Sequence, residues 1–366
     1  MQVFFRADAS TELGIGHVMR CLTLADQLHN LGAQCHFICA ELPGHAASRI
    51  ISRGFSVHLI EAQNGNIDAK TDALACQKIL SAEQAAWLVV DHYALSIDWQ
   101  HRLRPFCRRL GVIDDLANRQ HDCDLLIDPN WFGEQTSARY QQYVPANSLQ
   151  LLGPAYALLR PEYATLRAQL PERSAVIRRV LVTMGGSDPT NEITKVLQAM
   201  SVPELQPLAL DIVCGQQHPA LPLLQLLAAQ RGGVTLFESL PSLAGLMMRA
   251  DLMICAGGST NWERLCLGLP ALVISTAENQ QAMNQALAAD GLCFYAGKAE
   301  HVNTDGLIQA LCSILQDQEH YLQQSHAAFA CVDGKGAAKV AAAMMALLKN
   351  RIDDGNTQHS GSLADN

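Results

Sequence analysis

The sequence lacks the features that mark several common classes of protein. Its 12 cysteines include no C-x-x-C pair, and Cys35, His36 and Cys39 would alternate across one predicted strand, so no metal site is expected. No stretch approaches the ~18 apolar residues that span a bilayer. The N-terminal sequence MQVFFRADAS has no long apolar segment of the signal-peptide kind. These absences predict a soluble, cytoplasmic protein with buried, reduced thiols.

An excess of positive charge is also absent. The formal net charge is −9 at pH 7, opposite in sign to that of proteins that wrap nucleic acid. A small anionic ligand remains compatible with this charge, because the first N–H groups of a helix can bind phosphate locally. We therefore expect a small-molecule ligand, no nucleic-acid or membrane partner, and a monomer.

Two blocks of alternating short apolar strands and helices make up most of the 366 residues. This pattern predicts an α/β protein with two Rossmann-like domains facing a cleft at the carboxyl ends of their parallel strands. We predict an N-terminal domain over 1–155, a proline-rich connection over 156–175, a C-terminal domain over 176–350 and a disordered tail over 351–366. Strands are predicted at Val3–Ala7, Cys35–Cys39, Ser56–Ile60, Trp87–Asp91, Gly111–Asp114, Leu125–Asp128, Val180–Met184, Leu210–Cys214, Val234–Phe237, Leu252–Cys255 and Ala271–Ile274. Helices are predicted at Val18–Leu31, Thr304–Leu315, Glu319–Ala330 and Gly336–Leu348.

The loop after the first predicted strand contains the candidate base. Gly14 and Gly16 bound a tight turn, and His17 falls at or near the N-terminus of the first predicted helix, with Arg20 one turn on. The positive end of the helix dipole favours a neutral imidazole that can accept a proton. Because Met19 stands where the dinucleotide fingerprint needs a third glycine, this loop does not favour a dehydrogenase.

Two glycine-rich turns in the second block suit an anion. Gly185, Gly186 and Ser187 follow one predicted strand, and Gly257, Gly258, Ser259 and Thr260 follow another. One such turn is common for purely geometric reasons, whereas two in one domain favour phosphate binding. Glu263 lies one turn into the next helix, where it would accept hydrogen bonds from ribose hydroxyls or stabilise the helix dipole.

Three further clusters end predicted strands. They are Asp91 with His92 and Tyr93, the pair Asp114 and Asp115, and Glu278 with Asn279 and Gln280. Each lies on the ligand side of its sheet. Either aspartate of the pair could instead cap the following turn.

Taken together, these motifs resemble the UDP-sugar hydrolases of the pseudaminic acid pathway. The matching segments are RADAS at 6–10, GIGHVMRC at 14–21, VDHY at 90–93, IDDL at 113–116, LGPAYALLRP at 152–161, MGGSDP at 184–189 and AGGSTNWE at 256–263. They occur in consistent order over roughly residues 1–345. The family in turn resembles the GT-B glycosyltransferases, in particular the lipid II-forming N-acetylglucosaminyltransferase.

The resemblance implies a reaction and roles for the residues. The family removes UDP from UDP-2,4-diacetamido-2,4,6-trideoxy-β-L-altropyranose. By resemblance, His17 activates water and Tyr93 and Asn279 line the sugar end, where we also place Gly14, Gly16, Arg20, Asp91 and Gln280. The residues implied to bind UDP are Gly185, Gly186, Ser187, Gly257, Gly258, Ser259, Thr260 and Glu263. No cofactor or metal is implied, because two glycine-rich turns before helices would stabilise the charge of the leaving UDP.

Two other functions remain open at this point. A glycosyltransferase on the same fold would need a surface for its acceptor, and the basic residues Arg102, Arg104, Arg108 and Arg109 are the candidates for it. A non-catalytic sugar-nucleotide-binding protein would bind UDP without needing His17. Release of free sugar without an acceptor would separate hydrolysis from both.

Overall fold

The alternating pattern of the sequence becomes alternating strands and helices. The computed structural model of the chain describes residues 1–62, 67–185, 188–215, 218–238 and 240–356. The strands are β1 (Gln2–Ala7), β2 (Gln34–Ala40), β3 (Ser56–Ile60), β4 (Ala85–Asp91), β5 (Cys107–Ile113), β6 (Leu125–Asp128), β7 (Leu149–Leu152), β8 (Arg179–Thr183), β9 (Ala209–Val213), β10 (Val234–Phe237), β11 (Leu252–Cys255), β12 (Ala271–Ser275) and β13 (Phe294–Lys298). The helices are α1 (Gly16–Asn30), α2 (Ala47–Ser52), α3 (Ala69–Ser81), α4 (Ile97–Leu103), α5 (Pro161–Arg167), α6 (Glu192–Ala199), α7 (Leu221–Arg231), α8 (Ala244–Arg249), α9 (Thr260–Cys266), α10 (Glu278–Ala289), α11 (Thr304–Gln316), α12 (Gln318–Cys331) and α13 (Gly336–Asn356).

Two compact domains are formed. The first comprises Met1–Asn130, Thr136–Leu159 and Lys335–Asn366, and the second comprises Trp131–Gln135 and Arg160–Gly334. The predicted fold class, two Rossmann-like α/β domains, is confirmed.

The first domain is built on a seven-stranded parallel sheet in the order β3-β2-β1-β4-β5-β6-β7. Its central strands β1 and β4 are buried almost throughout, as their continuous apolar runs require. Strands β2 and β3 lie on one side of β1, and β4 lies on its other side. The strand order therefore reverses between β1 and β4. Ligands of such sheets bind outside the carboxyl ends of the strands at this reversal.

The second domain has a six-stranded parallel sheet in the order β10-β9-β8-β11-β12-β13. The order reverses between β8 and β11, which pair directly, with Thr183 opposite Cys255. Gly185 follows β8, and Gly257 and Gly258 follow β11. The fold therefore brings these glycines to the same end of the same pair of neighbouring strands.

Two strands were not predicted. They are β7 and β13, and each is the last strand at one edge of its sheet. Gln150 interrupts the apolar run of β7, and β13 ends in Gly297 and Lys298. The sequence pattern that identifies buried strands is correspondingly weak there.

The end of the chain differs from the predicted boundaries. Helix α13, predicted within the second domain, belongs to the first domain, where Val340, Ala341 and Met344 are part of the core. The Trp87 indole donates to the Met344 carbonyl at 3.2 Å. The helix also continues to Asn356, beyond the predicted start of the tail at 351; residues 357–366 of that tail lie outside the described residues.

Candidate functional site

In the first domain, the loop between β1 and α1 places His17 at the start of a helix. The Ser10 hydroxyl accepts from the backbone N–H groups of Glu12 at 3.2 Å and Leu13 at 2.9 Å. Gly14 has φ +71°, a conformation that glycine adopts without strain. Helix α1 begins at Gly16, so His17 lies in its first turn, as predicted.

The His17 imidazole is held by a carboxylate at the end of β4. Its Nδ1 lies 2.7 Å from Oδ1 of Asp91, and Asp91 is 0% exposed. Burial alone would raise the pKa of Asp91, but the adjacent Arg20 and His17 lower it to about 2. Because an ionised carboxylate only accepts hydrogen bonds, we assign the imidazole proton to Nδ1. Within the described residues, nothing hydrogen-bonds to Nε2, which carries the lone pair.

Arg20, one turn after His17, joins two acidic side chains. Its Nε and Nη2 both donate to Asp91, each at 2.5 Å, and its Nη1 donates to Asp115 at 3.0 Å. The Tyr93 hydroxyl donates to the same Asp115 oxygen at 3.2 Å, and the edge of the Tyr93 ring meets His17 with centroids 4.9 Å apart. Residues from α1 and from the ends of β4 and β5 thus form one cluster.

The two aspartates after β5 have different roles. Asp114 accepts from the backbone N–H groups of Leu116 at 3.2 Å and Ala117 at 3.0 Å, so it caps the following turn. Asp115 faces Arg20. The sequence left open which of the two was the cap, and the structure assigns that role to Asp114.

A second buried network lies next to this cluster. Arg6 is fully buried, with Nη1 2.6 Å from Asp8 and Nε 3.0 Å from Asp72. The Nε2 of His92 lies 3.4 Å from the other oxygen of Asp8. Burial and the charge of Arg6 lower the pKa of His92 to about 4, so this histidine is neutral at pH 7. His92 therefore packs into the domain, whereas its neighbours Asp91 and Tyr93 contact His17 and its partners.

In the second domain, the turn after β8 is described only in part. Gly185 has φ +85°, while Gly186 and Ser187 lie outside the described residues. Asp188 accepts from the backbone N–H groups of Glu192 and Ile193, both at 2.9 Å, and so caps α6. His218, which follows β9, lies 3.2 Å from Asp188 and ties the two loops together.

The turn after β11 requires glycine at its first position. Gly257 has φ +92°, and a Cβ there would lie 2.6 Å from the Asn284 side-chain oxygen. Gly258 has φ +66° and precedes Ser259 and Thr260, where α9 begins. The close approach of the backbone to Asn284 explains why this turn is glycine-rich.

Glu263 lies on α9 beside residues of α5. Burial raises the pKa of Glu263, although the Tyr163 hydroxyl and Arg160 favour its ionised form. Burial and the Glu263 carboxylate in turn raise the pKa of Tyr163. Tyr163 and Arg160 come from the segment that sequence reasoning treated only as a connection between domains.

Asn279 and Gln280 lie in the first turn of α10. The Gln280 side-chain oxygen accepts from the backbone N–H groups of Thr276 at 3.1 Å and Ala277 at 3.3 Å, so it caps the helix. Its amide nitrogen would be 3.8 Å from a Cβ on Gly258. Asn279 is exposed. Both residues therefore lie on the same side of the sheet as the Gly257–Gly258 turn.

A buried polar network beneath this turn was not predicted. Asn261 donates to Asn284 at 3.1 Å, Asn284 donates to Ser275 at 3.0 Å, and the Tyr295 hydroxyl lies 3.1 Å from Ser275. Arg264 donates to Asn261 at 2.9 Å. The sequence offers little signal for this network, because Thr260 and Glu263 on the same short helix are polar as well.

Two further observations concern metal ligands and membrane-spanning helices. Among the described residues, no three histidine, cysteine or acidic side chains come together as a metal site would require. In the same part of the chain, none of the helices combines the length and the apolar character needed to cross a membrane.

The second domain matches a known family model. Residues 180–344 match the Glycosyltransferase family 28 C-terminal domain. The match covers β8 and β11 with both glycine-rich turns, and it also reaches into α13.

Two curated relatives are similar in sequence. The Spore coat polysaccharide biosynthesis protein SpsG of Bacillus subtilis is 31% identical over 215 residues, which are 58% of this chain and 63% of the relative. The chain thus spans less than two thirds of that relative's length. The UDP-2,4-diacetamido-2,4,6-trideoxy-beta-L-altropyranose hydrolase of Campylobacter jejuni is 25% identical over 80% of this chain and 97% of its own.

Solved structures share the fold. Acinetobacter baumannii MurG superposes with a TM-score of 0.66 at 15% identity, covering 94% of this chain and 99% of its own. UDP-GlcNAc 2-epimerase from Neisseria meningitidis, bound to UDP-GlcNAc, gives 0.62 at 12% identity, with coverage of 94% and 99%. The chain therefore has a GT-B-like fold, matches the Glycosyltransferase family 28 C-terminal domain over residues 180–344, and is similar in sequence to the altropyranose hydrolase.

Proposed function

We propose that the chain is a hydrolase that cleaves UDP-2,4-diacetamido-2,4,6-trideoxy-β-L-altropyranose to UDP and free sugar, as a step of pseudaminic acid biosynthesis. The observation that carries the proposal is the pairing of His17 Nδ1 with Asp91 at 2.7 Å. Because Nδ1 is bound to Asp91, the basic Nε2 is left without a hydrogen bond to the described residues. The sequence similarity to the hydrolase of Campylobacter jejuni supports the choice of substrate.

The reaction needs one base. Nε2 of His17 takes a proton from water, and the water oxygen bonds to the anomeric carbon from the face opposite UDP. The bond from the anomeric carbon to the β-phosphate oxygen breaks, and its electron pair leaves with UDP. Asp91 remains ionised and stabilises the imidazolium that forms, as the carboxylate does in other histidine–aspartate pairs.

The second domain would hold the nucleotide. The turns at 185–187 and 257–260 would donate backbone N–H groups to the diphosphate, and Glu263 would accept from the ribose hydroxyls. The residues proposed to line the sugar are Gly14, Gly16, Arg20, Tyr93, Asn279 and Gln280. UDP is a stable anion, so it leaves with less protonation than an alcohol would require.

The decisive experiment follows the anomeric carbon and the oxygen of water. The protein is incubated with the UDP-sugar in ¹⁸O-water, and the products are observed by NMR and mass spectrometry. We expect label in the C1 hydroxyl of the sugar, an inverted first-formed anomer, and activity that survives EDTA. Label in the nucleotide, as in metal-assisted attack at phosphorus, would overturn the mechanism.

The role of His17 has a matched control on the same helix. His17→Asn should lower kcat about 10²–10⁴-fold, the range for loss of a general base, with little change in UDP-sugar affinity. His29→Asn changes an exposed histidine at the far end of α1 and should leave kcat unchanged. An ordinary rate in His17→Asn would refute the proposed base.

Transfer of the sugar to an acceptor is the second candidate function, favoured by the family 28 match over 180–344. Two of the four arginines of its predicted basic surface form ion pairs: Arg104 pairs with Asp122 and Asp124, and Arg109 pairs with Asp124. Product formed only when an acceptor is added would favour the transferase over the hydrolase.

A further inference from the structure

Arg264 is a buried cation without a carboxylate partner. It is 0% exposed, and within the described ranges no Asp or Glu oxygen forms an ion pair with it. Its Nε donates to Asn261 at 2.9 Å and its Nη1 to the Leu292 carbonyl at 3.0 Å. Its Nη2 has no hydrogen-bond partner. Burying a full charge against partial charges alone costs free energy.

This charge lies one side chain away from the Gly257–Gly258 turn. Asn261, which accepts from Arg264, donates its backbone N–H to the Gly258 carbonyl at 3.1 Å. The Asn261 amide nitrogen would also lie 3.1 Å from a Cβ on Gly257. The guanidinium is thus joined to the turn through a single residue, in surroundings where charges are weakly screened.

We propose that Arg264 is the buried counter-charge for an anionic diphosphate bound at the Gly257–Gly258 turn. It is a positioning residue: it contacts Asn261 rather than the ligand, and its charge acts through the protein interior. The inference rests on the proposed nucleotide site of the second domain. In the free protein the cation is uncompensated, and the negative charge of the ligand compensates it.

The proposal predicts an effect on affinity that depends on the charge of the ligand. Arg264→Met removes the cost of burying the charge, but it also leaves the Asn261 oxygen and the Leu292 carbonyl without a donor, so stability alone does not test the proposal. The same change removes an attraction felt only by a charged ligand. UDP and uridine share the base and ribose but differ in the diphosphate, so their affinity ratio isolates this attraction.

The test measures the dissociation constants of UDP and uridine, and the melting temperature without ligand, for the full chain and for Arg264→Met. UDP affinity should fall about tenfold or more, and uridine affinity should change less than about twofold. Arg264→Gln, which keeps an amide donor for Asn261, should behave in the same way. Arg264→Lys keeps the charge and should retain most of the UDP preference.

Arg231 provides the matched control. It is also a buried arginine of the second domain, and it donates to the carbonyls of Met200 at 2.7 Å, Leu205 at 3.0 Å and Leu208 at 2.8 Å. Arg231→Met should lower the melting temperature and leave the ratio of UDP to uridine affinity unchanged.

Two outcomes would refute the inference in different ways. If the unaltered chain binds UDP and the ratio is the same in both neutral Arg264 variants, only the role of Arg264 is wrong. If the unaltered chain binds neither UDP nor uridine, the proposed nucleotide site is wrong and the role of Arg264 with it. A lower melting temperature with equal losses for both ligands would make Arg264 a purely structural residue.

Discussion

Asp91 accepts a hydrogen bond from His17 at 2.7 Å while Arg20 donates to both of its carboxylate oxygens, each at 2.5 Å. The arginine therefore fixes the carboxylate, and the carboxylate fixes the imidazole and its tautomer. A histidine on a flexible loop would sample both tautomers, whereas this one presents Nε2 as the base.

Asp91→Asn should test this relationship. The amide can donate to Nδ1 and stabilise the wrong tautomer, so kcat should fall about 10²–10⁴-fold with KM little changed. Steady-state kinetics on the UDP-sugar measures the effect. Asp26→Asn removes a carboxylate of α1 that pairs with Arg53, which follows α2, and should leave kcat unchanged. Equal effects of the two changes would contradict the assigned role of Asp91.

Glu263→Ala should weaken the binding of both UDP and substrate. Contacts to ribose are the same in the ground state and the transition state, so KM should rise about tenfold or more while kcat changes little. Calorimetry with UDP and steady-state kinetics measure the two quantities. The exposed Glu319, on α12 of the same domain, gives a control in Glu319→Ala. A collapse of kcat at constant KM would show that Glu263 acts on the reacting atoms instead.

Two glycine-to-alanine changes differ sharply in their surroundings. At Gly257 a Cβ would meet Asn284 at 2.6 Å in a backbone with φ +92°, whereas at Gly245 it would meet nothing within 4 Å. Gly257→Ala should lower the free energy of unfolding by about 2–4 kcal/mol and weaken UDP binding. Gly245→Ala, inside α8, should be neutral or stabilising by up to about 1 kcal/mol. Chemical denaturation decides between these expectations, and a tolerated alanine at 257 would contradict the structure of the turn.

The buried His92 makes stability depend on pH. Its pKa is about 4 in the folded protein against about 6.5 in an unfolded chain. Between these values the unfolded state binds more protons, so stability is fully present above pH 6.5 and falls as the pH drops to 4, by about 3 kcal/mol. Chemical denaturation at pH 7.5 and at pH 4.5 gives the free energy of unfolding at each pH. The loss of this free energy on acidification should be smaller in His92→Gln than in the unaltered protein. His101→Gln, at an exposed position, should lose as much free energy of unfolding as the unaltered protein does. An equal loss in His92→Gln would contradict the assignment of the pH dependence to His92.

The sequence predicts the central strands because a strand buried on both faces must be apolar along its length. It does not reveal β7, whose apolar run is interrupted by Gln150, or β13, which ends in Gly297 and Lys298. Nor does it show that α13 belongs to the first domain. An amphipathic helix pattern states that one face is buried, but not against which sheet.

The residues of the candidate site also differ in how well the sequence reveals them. Glycines before His17 and after β11 could be recognised, because tight turns demand a particular residue type. The relationships among Arg20, Asp91 and Asp115, by contrast, join positions far apart in the chain, and only the order of the strands brings them together. Asp91 shows the difference most clearly: its sequence position after a strand suggested contact with substrate, and the fold buries it against His17 and Arg20.

The assignment of α13 to the first domain has a consequence for how the gene can be cut. The second domain from Arg160 to Gly334 is an almost uninterrupted length of chain, so one start and one stop codon would encode nearly all of it. No single continuous segment encodes the first domain, because its residues come from three separate stretches of the chain. A message truncated after Gly334 would omit Val340, Ala341 and Met344 from the core of the first domain, so a lesion in these later codons would damage the domain that contains β1 and His17.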